Sequence, residues 1–335
     1  MVQYGLGMIG AACARAVLES RGLRLVGAVD VDPAKAGRPL GEALGSGSGA
    51  RPPRSLRVSP SLAAALARSG GADVVLHTTQ SSFAKIFPQV MECVRAGLPV
   101  VSSTEELALP FATDATLARR LDALARKKKV AVLGTGVNPG FVMDILPIVA
   151  SAASRNVRGV RIERVLDAGT RRASFQRKVG VGMAPAEARR RLAAGGFGHI
   201  GLKESALLVA TGCDLQVDEI REESHPVIAT RTISSAFGPV RKGQVAGLHQ
   251  SLSGRRGGRE ILRLDVVMAL GVKESHDAAT IDADPPVTML LVGGLPGDTA
   301  TIAALLNAIP RVVAAPPGLH TALDLPLPRP SNRTR

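Results

Sequence analysis

Aromatic side chains are almost missing: the 335 residues include seven Phe, one Tyr and no Trp. Proteins that hold single-stranded nucleic acid stack bases on aromatic platforms, and this chain has few to offer. Cysteine is equally scarce. Cys13, Cys93 and Cys213 are too few and too scattered for a disulfide framework or a thiolate metal site, so buried, reduced thiols are expected. The histidines show no metal-ligand spacing, and no metal is expected. No apolar run reaches the ~18 residues that cross a bilayer, and no charged-then-apolar leader opens the chain. The expectation is a soluble, cytoplasmic protein with neither a membrane nor a nucleic acid as partner. The formal net charge of +14 is spread over both halves of the chain and not gathered in a tail. It reads as an Arg-rich solvated surface whose modest field favours anionic cofactors.

A regular alternation of apolar runs and helical stretches fills the first half. Val2–Tyr4, Leu23–Val31, Ala72–Thr78, Pro99–Ser103 and Val130–Gly134 read as strands. Ile9–Glu19, Ser61–Ser69, Phe83–Ala96 and Leu117–Lys127 read as the helices between them. Such βαβ alternation predicts an α/β fold with an N-terminal Rossmann domain, a doubly wound parallel sheet, over residues 1–140. Beyond it, Val160–Leu166, Gly243–Leu252 and Ile261–Leu270 read as longer strands, and Pro185–Ala194 and Lys203–Ala210 as helices. A C-terminal α+β domain over residues 141–300 follows from that texture. A late helix at Thr299–Ala308 opens a segment, about 300–325, that can pack back on the first domain. Ser46–Arg54 and Ala314–Leu319 read as loops, and 326–335 as a frayed tail.

Gly5, Gly7 and Gly10 form a G-x-G-x-x-G motif between the first strand and first helix. The first glycine permits the turn, the second admits a diphosphate against the backbone, and the third lets helix and strand pack closely. The amides that open the helix, near Met8 and Ile9, would face the phosphates. Asp30 closes the second strand, where a carboxylate accepts the adenine-ribose hydroxyls and repels a 2′-phosphate. NAD is therefore slightly favoured over NADP, with Lys35 and Arg38 downstream softening the preference. Only four residues precede Gly5, so the first strand is short and a start a few residues upstream is expected.

Ligands of doubly wound folds bind at the carboxyl ends of the strands. Those ends carry His77-Thr78-Thr79-Gln80, Ser102-Ser103-Thr104-Glu105-Glu106 and, after a glycine-rich turn, Asn138 and Pro139. Thr78, Thr79, Ser103 and Asn138 can position the nicotinamide carboxamide and ribose. Glu105 and Glu106 are the acid–base candidates, since a carboxylate there can orient ammonia or an amine, accept its proton and stabilise an iminium cation. The sole tyrosine, Tyr4, lies in the first strand, which excludes a Tyr/Lys proton relay. No Glu-Lys-Pro follows the fourth strand, which argues against the common two-domain sugar oxidoreductases. His199, in the glycine-rich run Gly198–Ser205, is a candidate for the substrate pocket.

Five segments together resemble the 2,4-diaminopentanoate dehydrogenase family, which is similar to the dihydrodipicolinate reductases. They are Gly5–Gly10, Ser103–Leu107, Gly134–Asp144, Gly198–Ser205 and Ala314–Leu319. The resemblance implies an NAD(P)-dependent amine dehydrogenase that deaminates a primary amine or aminates a ketone with ammonia. It also implies a homodimer whose second domain serves substrate binding and dimerisation, with the substrate in the cleft between domains. The family's catalytic glutamate falls on Glu105 or Glu106, Asn138 and Pro139 meet the nicotinamide, and Phe141 and His199 fall in segments that line the substrate. Arg171, Arg172, Arg177 and Lys178 are available to anchor a substrate carboxylate, with Arg177 the candidate. A reductase of an imine or unsaturated substrate, of the dihydrodipicolinate kind, is the alternative. A nucleotide-binding sensor without turnover is the rival from another class.

Overall fold

The computed structural model describes residues 1–45, 51–195 and 197–330. Ser46–Ala50 of the expected loop and the last five residues of the expected tail lie outside the described residues. The chain forms two compact units, one from Met1–Phe141 together with the chain from Pro296 onward, the other Val142–Leu295.

In the first unit, strands β1 (Val2–Tyr4), β2 (Gly27–Val29), β3 (Val58–Ser59), β4 (Val75–His77), β5 (Val100–Ser102) and β6 (Ala131–Gly134) alternate with six helices. These are α1 (Met8–Glu19), α2 (Leu40–Leu44), α3 (Leu62–Ser69), α4 (Phe83–Arg95), α5 (Pro110–Thr113) and α6 (Ala115–Lys128). The second unit contributes α7 (Ile145–Ser151), β7 (Arg155–Asp167), α8 (Ala173–Lys178), α9 (Pro185–Ala193) and α10 (Leu202–Gly212). Its remaining strands are β8 (Glu219–Ile228), β9 (Ile233–Ser235), β10 (Gly238–Val240), β11 (Val245–Arg256), β12 (Arg259–Ala269), β13 (His276–Asp284) and β14 (Val287–Val292). The chain returns to the first unit with α11 (Gly297–Val313) and β15 (Gly318–His320).

The first sheet runs β3-β2-β1-β4-β5-β6-β15, every pair parallel. Its direction of winding reverses between β1 and β4, and that switch point is where such sheets take a dinucleotide. Both faces are covered, so the strands are apolar throughout. Successive residues still point to opposite sides: Val2, Val75, Val100 and Val132 join Phe83, Ile86 and Leu121 in one core cluster. Ala28, Leu76, Val101 and Leu133 join Cys13, Val17, Leu305 and Ile309 in the other.

The second unit holds a six-stranded mixed sheet, β14-β13-β7-β12-β11-β8, in which only β7 and β12 run parallel. Its most polar core feature is an ion pair. Arg164 of β7 and Asp277 of β13 are 3% and 2% exposed and meet at 2.6 Å. The other arm of the guanidinium donates to the Leu295 carbonyl at 2.7 Å, and the other carboxylate oxygen accepts the Leu295 N–H at 2.7 Å. Two opposite charges thereby hold both backbone groups of the last residue of this unit.

Several elements differ from expectation. The strand expected over Leu23–Val31 is confined to β2, because its ladder is limited by the three-residue β1 beside it. The Ala314–Leu319 stretch, expected as loop, ends in β15, whose three residues are too few for a periodic pattern. β8 is an edge strand with Glu219, Arg221 and Glu223 in solvent, so it lacks the apolar alternation of a strand. β13 and β14 also went unanticipated. Among the described residues no helix is long and apolar enough to cross a membrane.

Removing one partner of a buried ion pair strands the other charge, at roughly 3–5 kcal/mol. Asp277→Ala should therefore lower the Tm of the protein sharply, whereas an unchanged Tm would show that Arg164 finds another counter-charge.

Candidate active site

At the switch point the backbones pass closer than side chains allow. Gly5 has φ +88°, and a Cβ there would lie 2.6 Å from the Thr78 carbonyl oxygen. A Cβ on Gly10 would lie 2.0 Å from the Gly5 oxygen and 2.5 Å from Thr78 Oγ1, so α1 packs directly on the β1 turn. A Cβ on Gly7 would meet nothing within 4 Å. The N-terminus of the twelve-residue α1 has no side-chain cap and no acidic residue in its first turn, and Met8 beside it is half exposed. An open, uncapped helix start under a glycine turn fits an anionic diphosphate.

Gln3, fully buried in β1, reinforces this geometry. Its Nε2 donates to the Gly5 carbonyl at 2.9 Å and to Thr78 Oγ1 at 2.8 Å, joining the ends of β1 and β4. Nothing in the local sequence signals this role, since the amide's partner on β4 is 75 residues away.

Asp30 sits where the second strand meets the glycine turn. Its Oδ2 accepts the Leu6 N–H at 2.7 Å and its Oδ1 the Asp32 N–H at 2.9 Å. Lys35 Nζ lies 3.5 Å from the Asp30 and Asp32 carboxylates and donates to the Leu6 carbonyl at 3.1 Å. The carboxylate thus helps shape the turn and shares its site with a cation.

The ends of β4 and β5 are tied by a buried polar cluster. His77 Nδ1 is 3.0 Å from Ser102 Oγ, and its Nε2 is 2.8 Å from Gln89 Oε1. Thr79 donates to Gln89 Oε1 at 2.8 Å, and Thr104 Oγ1 donates to the Gln80 carbonyl at 2.7 Å. Burial pushes His77 down to about 4, with the Gln89 bond opposing, so the ring is neutral at physiological pH. Thr78 and Thr79, anticipated from sequence, stand on this cluster, and Ser103 follows the strand end.

The two glutamates fall in one 3₁₀ turn, Glu105–Ala108. A Cβ on Gly134 would lie 2.4 Å from the Leu107 carbonyl, so glycine at the end of β6 lets this turn rest against the strand. Glu106 reaches the start of α4: its Oε2 accepts the N–H of Phe83, the first residue of that helix, at 2.7 Å. Its own N–H donates to the Ser81 carbonyl at 3.3 Å. The loop after Gly134 folds on itself, since a Cβ on Gly140 (φ +120°) would lie 2.5 Å from Thr135 Oγ1. It contains a cis Asn138–Pro139 bond, and the Val137 N–H donates to Thr301 of α11 at 3.4 Å. The first unit therefore gathers Gly5, Gly7, Met8, Ile9, Gly10, Asp30, Thr78, Thr79, Ser103, Glu105, Glu106, Asn138, Pro139 and Phe141.

His199 and Arg177 belong to the second unit. Gln250 Oε1 accepts the His199 N–H at 2.6 Å, and Gln250 Nε2 donates to the His199 carbonyl at 3.2 Å. Burial first, then Lys178 and Arg164, push the imidazole down to about 3. Arg177 meets an aromatic ring. Its guanidinium stacks 5.0 Å from the Phe237 ring centroid, in a groove of about 470 Å³ shared with Met183, Glu187 and Gln244. Of the cysteines, Cys13 and Cys93 are buried with thiols pushed up to about 12.

A doubly wound sheet, a glycine turn under an open helix and polar strand ends define a dehydrogenase of the dinucleotide-binding type. The family described as 2,4-diaminopentanoate dehydrogenase C-terminal domain matches residues 141–333. A 2,4-diaminopentanoate dehydrogenase of Acetoanaerobium sticklandii is 30% identical over 98% of this chain and 94% of its own length. An amine dehydrogenase of Streptomyces virginiae is 24% identical over 97% of this chain and 96% of its own. The solved amine dehydrogenase of Mycobacterium smegmatis superposes with a TM-score of 0.82 at 24% identity, covering 98% of this chain and 96% of that one. A dipicolinate-bound dihydrodipicolinate reductase shares the fold at a TM-score of 0.55 and 14% identity, over 96% and 97% of the two chains. The chain belongs to the 2,4-diaminopentanoate dehydrogenase family and is an oxidoreductase.

The neutral histidines make stability depend on pH. Below pH 6.5 the unfolded chain protonates His77, while the folded chain refuses the proton until about pH 4. Stability present above 6.5 is thus lost as pH falls through that window, by up to about 3 kcal/mol for His77. His199 acts with the same sign down to about pH 3. Tm should decline on acidification from pH 6.5 toward 4, and His77→Asn should flatten the decline. An equal slope in that variant would assign the acid sensitivity to other groups.

Proposed function

We propose that the protein is an NAD(P)-dependent amine dehydrogenase, aminating a ketone with ammonia or deaminating a primary amine in reverse. The observation that carries this reading is the seating of the Glu105–Glu106 turn against Gly134, at the strand ends where a doubly wound sheet meets its ligand. Relatives named for amine dehydrogenation over nearly the whole chain support it.

When bound, the nicotinamide donates or accepts the hydride. The uncapped α1 start and Gly5, Gly7 and Gly10 hold the diphosphate, while Thr79, Ser103 and Asn138 orient the carboxamide and ribose. Acid–base work is assigned to the Glu105–Glu106 pair of that turn. In the direction of amination one carboxylate of the pair accepts N–H bonds from ammonia, then faces the cationic iminium nitrogen as water leaves. Lys178, whose charge acts on the neutral His199, favours an amine that also carries a carboxylate. The Lys35 ammonium next to Asp30 supplies a counter-charge for a 2′-phosphate, so both nucleotides are accepted, NAD slightly better. A homodimer completes the reading, supported by edge strand β14, where Leu290 and Val292 are 59% and 87% exposed.

Reduced nicotinamide should be consumed with ketones or keto acids only when ammonium is present; consumption without ammonium would move the reading to a plain reductase. Glu105→Gln or Glu106→Gln should lower amination about 10²-fold or more with nucleotide affinity nearly unchanged. A fully active Glu105→Gln enzyme would remove Glu105 from the chemistry. Lys35→Met should cut kcat/KM with NADPH about tenfold and leave NADH within about twofold, if the ammonium meets a 2′-phosphate. Equal losses with both nucleotides would make Lys35 a prop for the glycine turn.

A further inference from the structure

β11 carries a polar side chain in an otherwise apolar row. Leu248 and Leu252 share a face with Gln250 and are fully buried, and Gln250 itself is 3% exposed. A buried carboxamide is costly unless its groups are paired. Gln250 pairs them with one residue, 51 positions away: Oε1 takes the His199 N–H at 2.6 Å, and Nε2 gives to the His199 carbonyl at 3.2 Å. The side chain does for His199 what a neighbouring strand does for a strand residue.

The segment that receives this support needs it. Gly195, Gly198 and Gly201 lie at φ +76°, +104° and +107°, in backbone that loses much entropy on ordering. A Cβ on Gly198 would lie 2.6 Å from Gln250 Oε1, so the main chain passes against the amide itself. Gly201 then starts α10. Lys178 and Arg164 act on the imidazole held here, and Arg164 is itself immobilised by Asp277 and Leu295.

We propose that Gln250 is a positioning residue of the substrate site, fixing His199 by both backbone polar groups and so setting where its imidazole stands. The proposal rests on the reading of His199 as a substrate contact. A neutral ring in a fixed place can hydrogen-bond a substrate without adding positive charge.

Gln250→Met keeps the volume and removes both hydrogen bonds; Gln250→Glu keeps the acceptor for the His199 N–H and loses the donor. The Met variant should lose about tenfold in kcat/KM for the carbonyl substrate, mainly through KM, with KM for the reduced nucleotide unchanged. The Glu variant should lie between it and the parent. In proton NMR, the His199 ring resonance, assigned with His199→Asn, should stay flat in the parent at neutral pH. In Gln250→Met it should titrate near 6.5 as the released ring meets solvent. A purely structural role would lower Tm without moving that titration. If His199→Ala has parental kinetics, the reading of His199 as a substrate contact fails. If His199→Ala is impaired while Gln250→Met matches the parent in kinetics and titration, the assignment of Gln250 is overturned. Should Gln250→Met not fold, Gln250→Glu is judged alone, and parental kinetics with a flat titration overturn the assignment equally.

Discussion

Backbone contact without intervening side chains is the constraint on which the site depends. At the switch point, α1 lies on the turn after β1 because neither Gly5 nor Gly10 carries a Cβ. At the end of β6, Gly134 lets the glutamate turn rest on the strand in the same way. These two approaches place an uncapped helix start and two carboxylates along one edge of a parallel sheet. Any larger residue would drive the backbones apart, since overlaps near 2 Å cannot be absorbed by side-chain motion.

Buried polar side chains hold that edge in place. Gln3 joins β1 to β4, the His77 cluster joins β4 to β5, and Glu106 joins the glutamate turn to α4. In water each bond would contribute little. Inside the core an unmade bond is costly, so each network enforces one arrangement of the strand ends. The second unit uses the same device with longer reach: Arg164 and Asp277 grip Leu295, and Gln250 grips His199. At Glu106, Arg164, Asp277 and Gln250 a side chain substitutes for the backbone partner that a neighbouring segment lacks.

The electrostatics follow a division between open and enclosed charge. Many of the chain's surplus cations are solvated, while those near candidate ligand positions are few and held: Lys35 by Asp30 and Asp32, Arg164 by Asp277. Buried His77 and half-buried His199 are kept neutral by desolvation, with Lys178 and Arg164 adding to the effect at His199.

The sequence by itself determined whatever is local in the chain. The glycine spacing of residues 5–10, Asp30 at the end of the next strand and the Glu-Glu pair are short-range patterns, and the βαβ alternation has a period that composition reveals. The resemblance drawn from Gly134–Asp144 and its companion segments agrees with the family to which the chain belongs. Tertiary structure alone decided which partner each polar side chain meets. It brought Glu106 to the Phe83 N–H and Arg177 to the Phe237 ring. It also made Gln3, His77 and Gln250, unremarkable as letters, into the supports of strand ends and loops. The edge strand β8 and the three-residue β15 were equally hidden, because a solvated edge and a very short strand carry no periodic apolar signal. Local backbone preference is written in neighbouring residues; the pairing of buried polar groups depends on contacts 10 to 113 residues apart, which only the folded chain brings together.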